Sequence, residues 1–431
     1  MGRLAACLLW GLAFLLPAYT TASPLPVLPA AQKAAHHPDA AAQSEFRKGI
    51  AAVVKGDLPA AEAAFQSAAA LDPKFVDPWL GLADVALRRG HKTDAERWLR
   101  RASAVDPDAQ PVLIGWARYD RATQQYAAAE RVLKRALAIK PTVPAYLELG
   151  DLYIADLDDK AKALTAFEHA VALAPRNAPA HRSLAIGLAT NGQTTRALQE
   201  LQLVTRLQPK DPEGWRLLGR LYAEQGRFRD AGNAFDHALD LKPDDIPVLM
   251  DKGDLAAMQG DWKKAAKSYG AAAAQGPATA PLLVKLGTSL EHSQQFDEAR
   301  AAYLRAVEVD PVAPDAYNNL AWLSLQRRTD LRQALRWAQK AVRLAPGRAD
   351  FLDTLGWTYR AVGDLPKAAA TLLEASAVPP PDARIYYHLG AVYAELGKRS
   401  EAAKALQRAL AINPGFAEAA DARRRLASLG H

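Results

Sequence analysis

Cysteine is almost absent from this chain of 431 residues, and aromatic side chains are few. The single cysteine is Cys7, so no disulfide framework and no thiol chemistry are available to the rest of the chain. Only 7% of the residues are aromatic although 50% are hydrophobic, and alanine dominates the apolar fraction. An all-β protein would need more valine, isoleucine and aromatic residues, so the composition favours closely packed helices.

The chain also lacks a strong charge of one sign and a long apolar run. It has 54 Lys and Arg against 47 Asp and Glu, a formal net charge of +7, and the charges are spread along the sequence. A spread of this kind aids solubility and does not indicate a nucleic-acid partner. No apolar run beyond the N-terminal segment approaches the roughly 18 residues of a membrane-spanning helix, so we expect no membrane span in the mature chain.

The N-terminal segment, residues 1–22, has the pattern of a secretory signal peptide. Arg3 precedes the apolar run Leu4–Leu16, and small residues follow up to Ala22. This order of charged region, apolar region and cleavage site predicts export to the periplasm. An uncleaved membrane anchor is the alternative. Residues 23–41 are rich in proline, alanine and small polar residues, and this composition predicts a flexible linker.

The rest of the chain is one repeat, used eleven times. Each repeat ends in a proline, and the step between prolines is 34 residues except for 35 between Pro311 and Pro346. An alanine stands twelve residues before every one of these prolines, and another stands five residues before all but one of them, where Val204 replaces it. The prolines are residues 73, 107, 141, 175, 209, 243, 277, 311, 346, 380 and 414. A fixed period of this length indicates stacked units that share one continuous core.

The repeat around Trp215 shows why each unit is predicted to form a pair of helices. Its small and large apolar residues recur every three to four positions, which is the spacing of one helix face. Gly226 ends the first helix, because glycine adopts the left-handed conformation without steric cost. Pro243 stops the second helix. The spaced residues are Trp215, Leu218, Gly219 and Tyr222 in the first helix and Ala231, Phe235 and Ala238 in the second.

This period and this set of residues resemble the tetratricopeptide repeat (TPR) over residues 42–416. The resemblance implies an all-α, right-handed α-solenoid of about eleven 34-residue helix-turn-helix repeats. The repeats are expected to start near residues 42, 76, 110, 143, 178, 212, 246, 280, 314, 349 and 383. Residues 417–431 are expected to form a capping helix. The resemblance also implies that the first helix of each pair lines a concave groove, which is the usual binding surface of the family.

Polar and aromatic side chains at groove positions form the candidate binding site for proteins or peptides. Trp322 and Trp357 occupy the same position in consecutive repeats, so we expect their rings to lie near one another, where they suit extended peptides or sugar rings. The arginines of the central repeats suit carboxylates. The alternatives are that the two tryptophans cover the seam between repeats and that the arginines form a solvated face. The candidates are Asn318, Asn319, Trp322, Asp353, Trp357, Tyr387, His388, Arg182, Arg216 and Arg220.

No sequence motif of catalysis is present. Phosphate-binding glycine loops, the H-E-x-x-H zinc motif and the G-x-S-x-G elbow do not occur, so we expect no enzyme activity, no cofactor and no metal. The predicted function is a protein-interaction scaffold in an envelope complex. Segments 318–322 and 353–357 resemble TPR proteins of exopolysaccharide export and surface-protein sorting. The alternatives are a periplasmic guide that binds a nascent polysaccharide and, if residues 1–22 are not a signal, a cytoplasmic chaperone adaptor.

Overall fold

A computed structural model describes residues 36–430, and within that range all regular secondary structure is α-helical. The predicted signal peptide, Cys7 and the first part of the predicted linker lie outside the described residues. The 23 helices of the described range are α1 (Ala40–Val54), α2 (Leu58–Leu71), α3 (Val76–Arg88), α4 (Lys92–Val105), α5 (Gln110–Ala122), α6 (Tyr126–Ile139), α7 (Val143–Ala155), α8 (Lys160–Leu173), α9 (Ala178–Thr190), α10 (Thr194–Leu207), α11 (Pro212–Glu224), α12 (Phe228–Leu241), α13 (Ile246–Met258), α14 (Trp262–Ala274), α15 (Ala280–His292), α16 (Phe296–Val309), α17 (Pro314–Arg327), α18 (Leu331–Leu344), α19 (Ala349–Ala361), α20 (Leu365–Ser376), α21 (Ala383–Glu395), α22 (Arg399–Ile412) and α23 (Ala419–Ser428).

The described chain falls into two compact bodies, an N-terminal body of residues 36–224 and a C-terminal body of residues 225–430. In each body, a first helix packs against the second helix that follows it, and that second helix packs against the first helix of the next repeat. Neighbouring first helices also contact each other directly in both bodies. This series of packed helix pairs confirms the prediction of an all-α repeat fold.

The ends of the array differ slightly from the sequence boundaries. From α3 onwards, each first helix begins at the residue at which the sequence places the start of a repeat. Helix α1 begins at Ala40, two residues before 42, and residues within the predicted linker are held against the first repeat. His36 Nε2 lies 2.6 Å from Asp72 Oδ2, and the Asp39 amide donates to the same oxygen at 3.1 Å. The capping helix α23 begins at Ala419.

Close helix crossings depend on glycine. An ideal Cβ at Gly253 would lie 2.5 Å from the ring of Tyr269, and one at Gly287 would lie 2.5 Å from the ring of Tyr303. Real Cβ atoms do not approach other atoms so closely, so only glycine lets the aromatic ring of the second helix lie against the backbone of the first. Between helices, Gly226 has a φ of 71°, which confirms its predicted left-handed conformation.

Candidate functional site

The C-terminal candidate residues lie on three first helices of the C-terminal body, α17, α19 and α21. Helix α17 contacts α19, and α19 contacts α21. Residues four positions apart share one face of a helix, so Asn318 lies beside Trp322 and Asp353 lies beside Trp357. We call the following residues the C-terminal cluster. They are Asn318, Asn319, Trp322, Asp353, Trp357, Arg384, Tyr387 and His388.

A buried charge pair stands at the centre of the C-terminal cluster. The Asp353 side chain is 0% exposed, its Oδ1 lies 2.6 Å from His388 Nδ1, and its Oδ2 lies 3.3 Å from Arg384 Nε. A buried carboxylate requires such partners, because an unpaired buried charge lowers the stability of the fold by several kcal/mol. Penalties of this order are measured when one partner of a buried ion pair is removed. The sequence predicts that Asp353 and His388 project towards the groove as accessible binding residues. Both are buried instead, because each covers the other across the contact between α19 and α21.

The two tryptophans have different surroundings. The Trp357 ring stacks on the His388 ring with centroids 3.9 Å apart, and the guanidinium carbon of Arg360 lies 4.3 Å from the Trp357 ring centroid. Trp357 also packs against the apolar core formed by α20 and α21. The guanidinium carbon of Arg384 lies 5.8 Å from the ring centroid of Trp322. Trp357 therefore contributes to the seam between repeats, whereas Trp322 is next to the polar atoms of the cluster.

The asparagines form the polar edge of the cluster. Asn318 is 2% exposed, and its Nδ2 donates a long hydrogen bond of 3.4 Å to Asn319 Oδ1. Asn318 Oδ1 is buried and accepts no hydrogen bond. Arg384 Nε is buried as well and forms the ion pair with Asp353 Oδ2 at 3.3 Å. Asn318 Oδ1 is therefore a buried acceptor of the cluster without a hydrogen bond.

Tyr387, which the sequence predicts to project towards the groove, contacts the end of the array. Its hydroxyl donates to Asp421 Oδ2 on the capping helix at 2.8 Å, and its ring lies 5.9 Å from that of Phe416. Burial and the hydrogen bond to Asp421 raise the pKa of the Tyr387 hydroxyl. Hydrogen bonds from Arg425 and Tyr387 lower the pKa of Asp421 to about 2. Tyr387 thus stabilises the packing of the capping helix against the last repeat.

The three candidate arginines of the N-terminal body lie close to carboxylates of the protein itself. Arg216 makes two hydrogen bonds to Glu213, at 2.7 and 2.8 Å, and is 9% exposed. Arg182 Nη1 lies 3.5 Å from Asp211 Oδ2. Burial raises the pKa of the Glu224 carboxyl, and the positive charge of Arg220 opposes that rise. A carboxylate of a partner would compete with these internal pairs, which weakens the case for an arginine-rich site for acidic peptides.

A second ion-pair network lies on the first helices α5 and α7 of the N-terminal body. Arg118 Nε donates to Glu148 Oε1 at 2.6 Å, and Arg121 Nε donates to Asp156 Oδ2 at 2.6 Å. Glu148 is 9% exposed. The sequence did not single out this pairing as one network. The charged residues of these repeats therefore make contacts between helices and do not indicate a binding site.

The sequence analysis did not identify Arg384 as a site residue, although the Arg384 side chain contacts both Asp353 and Trp322. The residue types at its position in the repeat could have indicated it. The two preceding repeats have Asp315 and Asp350 at the position that Arg384 occupies, so the charge changes sign there. A reversal of charge at one register position could have indicated a specialised contact.

No group of three His, Cys, Asp or Glu side chains within residues 36–430 could hold a metal ion. The buried pair of Asp353 and His388 is covered by its neighbours. In the same range, no helix is long and apolar enough to cross a membrane. A shallow depression of about 350 Å³ on the exposed face of α4 lies in the N-terminal body, outside the cluster.

Sequence models of the TPR family match most of the array. Models described as "Tetratricopeptide repeat" match residues 55–114, 155–221, 216–281, 284–349 and 383–416, and one described as "TPR repeat" matches residues 356–397. The chain belongs to the tetratricopeptide repeat family. Arrays of this family are scaffolds for protein–protein interaction and typically have no catalytic activity. The chain is accordingly a protein-interaction scaffold.

Solved structures that align with the chain include three of low sequence identity. The APC/C hetero-tetramer Cut9–Hcn1 is 14% identical over 89% of this chain and 96% of that chain, with a TM-score of 0.46. A tetratricopeptide repeat protein from Parabacteroides merdae is 18% identical over 59% of this chain and 99% of that chain, with a TM-score of 0.47. Yeast Tom70 is 16% identical over 90% of this chain and 95% of that chain, with a TM-score of 0.43. No curated protein matches the sequence.

Proposed function

We propose that the protein is a non-catalytic scaffold of the bacterial envelope that binds extended peptide segments of partner proteins. The observation that carries the binding site is the C-terminal cluster, where two indoles, the buried ion pair of Asp353 and Arg384 and the side-chain amide of Asn318 lie on three consecutive first helices. Tryptophan and arginine side chains are enriched among the residues that carry the binding energy of protein interfaces.

The proposed location is the periplasm. It is supported by residues 1–22, whose charged, apolar and small-residue regions follow the order of a cleavable signal. Cell fractionation tests this location directly. Recovery of the protein from the periplasmic fraction with an N-terminus near Ser23 is the expected result. Recovery from the cytosol with Leu4–Leu16 still present would contradict it.

A finer proposal concerns the assembly that the scaffold serves. Segments 318–322 and 353–357 resemble TPR proteins of exopolysaccharide export and surface-protein sorting. We place the protein in an assembly of that kind, where it would hold protein partners near one another without chemistry of its own. Loss of surface polysaccharide or of a sorted surface protein in a strain that lacks the gene is the expected phenotype.

Site-specific photocrosslinking tests the binding face. A photoreactive amino acid at Gln326 lies one helical turn beyond Trp322 on α17 and leaves the C-terminal cluster intact. The matched control places the same amino acid at the exposed Gln407 on the second helix α22. We expect peptides of defined envelope proteins to be crosslinked from Gln326 and not from Gln407.

Two outcomes would contradict peptide binding. Equal crosslinking from Gln326 and Gln407 would show that capture does not depend on the first helices. Crosslinks to glycan alone, detected by sugar-specific staining of the Gln326 sample, would favour the polysaccharide-guide alternative instead.

A further inference from the structure

The excess positive charge of the protein is concentrated towards its C-terminal end. Charged residues occur along the whole sequence, but residues 1–326 contain 37 Lys and Arg and 37 Asp and Glu. Residues 327–431 contain 17 Lys and Arg against 10 Asp and Glu, so they hold the entire formal excess of +7. An excess of one sign on one part of a surface attracts partners of the opposite sign. The last repeats therefore carry the charge that would attract an anionic partner.

Of the second helices that the structure describes, α18 has the largest excess of positive charge. No acidic residue occurs within it, and its four basic residues are Arg332, Arg336, Lys340 and Arg343. The Nζ atom of Lys340 donates to the hydroxyl of Tyr317 at 2.7 Å, whereas the three arginines are exposed. The arginines lie within about 40° of one another around the helix axis. We call Arg332, Arg336 and Arg343 the arginine stripe.

The charge of the arginine stripe is not balanced within the described part of the chain. No carboxylate of residues 36–430 forms an ion pair with any of the three arginines, whereas Arg348 in the loop after α18 pairs with Asp315 and Asp350. Arg336 donates to the neutral side-chain amide of Gln333 at 2.7 Å. Like charges four residues apart repel each other and destabilise a helix. A bound anionic partner would relieve this repulsion.

The stripe is confined to one helix. The preceding second helix, α16, exposes acidic and basic side chains together, and the following one, α20, exposes Lys367 and Glu374. The exposed carboxylates of α16 include Asp297, Glu298 and Glu308. A flat anionic surface that lay across several second helices would meet these carboxylates and be repelled by them. A linear anionic partner can follow α18 alone.

The spacing along the stripe suits an extended peptide. The rise of an α-helix separates Arg332 from Arg336 by about 6 Å along the axis. In an extended chain, side chains on one face recur at every second residue, about 6.6–6.8 Å apart. Acidic side chains at alternate positions of a peptide therefore match these two arginines. Each guanidinium group can bind a carboxylate through two parallel hydrogen bonds.

We propose that the arginine stripe of α18 binds an extended, acidic peptide segment of a partner protein, in which aspartate or glutamate occupies alternate positions. Arg332 and Arg336 each bind one carboxylate of the segment. Arg343 lies about 10 Å further along the helix axis and binds a later carboxylate. The stripe belongs to a second helix, so it is a binding surface separate from the C-terminal cluster of the first helices and goes beyond the proposed function.

Fluorescence anisotropy of labelled peptides tests the charge and the spacing. The probe is a short peptide of alternating glutamate and threonine, titrated with the full chain at low ionic strength. A peptide of alternating glutamine and threonine lacks the charge, and a peptide with the same glutamates in one block lacks the spacing. We expect saturable binding of the alternating glutamate peptide that weakens as salt is added, because salt screens exposed charges. The block peptide should bind more weakly, and the glutamine peptide should not bind.

Two triple variants connect binding to the stripe. The stripe variant is Arg332→Gln, Arg336→Gln and Arg343→Gln. The matched control on the second helix α14 removes the same charge from three exposed positions of the same body, and it is Lys263→Gln, Lys264→Gln and Lys267→Gln. The stripe variant should bind the alternating glutamate peptide about tenfold more weakly, as expected for three lost exposed ion pairs. The control should bind it nearly as well as the wild type. Equal weakening in both variants would show that only the net charge matters and would overturn the stripe.

Thermal melting separates binding from a structural role of the arginines. The stripe variant loses like charges that lie four residues apart on one helix, so it should melt at the wild-type temperature or above it. A clear loss of stability would show that the arginines support the fold, and it would overturn the proposal.

Two further probes separate a peptide from other anions. An oligogalacturonate of the same charge represents an acidic polysaccharide, and vesicles that contain phosphatidylglycerol represent an anionic membrane. Stripe-dependent binding of either probe that is stronger than that of the alternating glutamate peptide would overturn the assignment to a peptide. Equal binding of the alternating and block peptides would overturn the extended arrangement. Failure of the stripe leaves the proposed function untouched, because that function rests on the first helices.

Discussion

His388 stacks on Trp357 with ring centroids 3.9 Å apart and an interplanar angle of 19°. The same imidazole is hydrogen-bonded through Nδ1 to the fully buried Asp353, so a hydrogen bond holds one side of the imidazole and the indole packs on its face. His388 is on α21, and the other two residues are on α19. The contact between these repeats therefore combines an aromatic stack with a buried polar pair.

Trp357→Ala should destabilise the C-terminal body more than Trp322→Ala does. Trp357 packs on the core of α20 and α21 and on His388, so its truncation should cost about 3 kcal/mol, the low end of the range for tryptophan because the ring is only partly buried. Urea unfolding followed by circular dichroism measures the difference. Equal losses in the two variants would show that both rings cover the seam, which is the structural alternative for this pair.

Asp353→Asn should be among the most damaging single changes in the cluster. It removes the negative charge that compensates Arg384 and holds His388, and the loss of one member of a buried pair costs about 3–5 kcal/mol. Chemical denaturation provides the free energy of unfolding. The triple variant Asp353→Leu, Arg384→Met and His388→Leu is the control. It should recover most of the lost stability, because no charge is then left buried, and a triple variant weaker than Asp353→Asn would contradict this account.

Gly253→Ala and Gly270→Ala should have opposite effects on stability. A Cβ at Gly253 would lie 2.5 Å from the Tyr269 ring, so the two helices must separate, at a cost of about 1–3 kcal/mol. Gly270 is within helix α14, and its nearest neighbour would be Leu286 at 3.9 Å. There alanine should stabilise by about 0.5–1 kcal/mol, because glycine in a helix interior loses more backbone entropy. Melting temperatures of the two variants measure this contrast, and a stabilised Gly253→Ala would contradict the close crossing.

Asp77 should make the N-terminal body less stable as the pH rises from about 4 to 6. Burial raises the pKa of Asp77 from 3.8 to about 6, so the folded state holds a proton that the unfolded state has already lost in this interval. The free energy of unfolding then falls by up to about 3 kcal/mol and stays low above pH 6. Asp77→Asn removes this dependence. We compare the free energies of unfolding of the wild type and of Asp77→Asn at pH 3.5 and 7.5. The variant should be more stable than the wild type at pH 7.5 and not at pH 3.5.

The repeat could be predicted from the sequence because each unit carries the same small and apolar residues at the same positions. The starts of the first helices and the left-handed Gly226 follow from that regularity. The cluster could be predicted only in part. Register places Asn318, Trp322 and Asp353 on one face, but it does not show which side chains turn towards each other. The stack of His388 on Trp357 and the long reach of Arg384 depend on side-chain conformations across three repeats, and no spacing in the sequence specifies them.

The contacts of Arg384 determine how the C-terminal end of the array unfolds locally. In a linear repeat array, each repeat is stabilised by its own contacts and by contacts with its immediate neighbours. Local unfolding that begins at the end of the array can therefore stop between any two repeats. Arg384 adds a contact that skips one unit, because it reaches from α21 past α19 to Trp322 on α17. When the last repeat unfolds locally, the repeat two places before it in the chain also loses a stabilising contact. The last three repeats should lose their amide protection together, as one cooperative block, rather than fraying one repeat at a time.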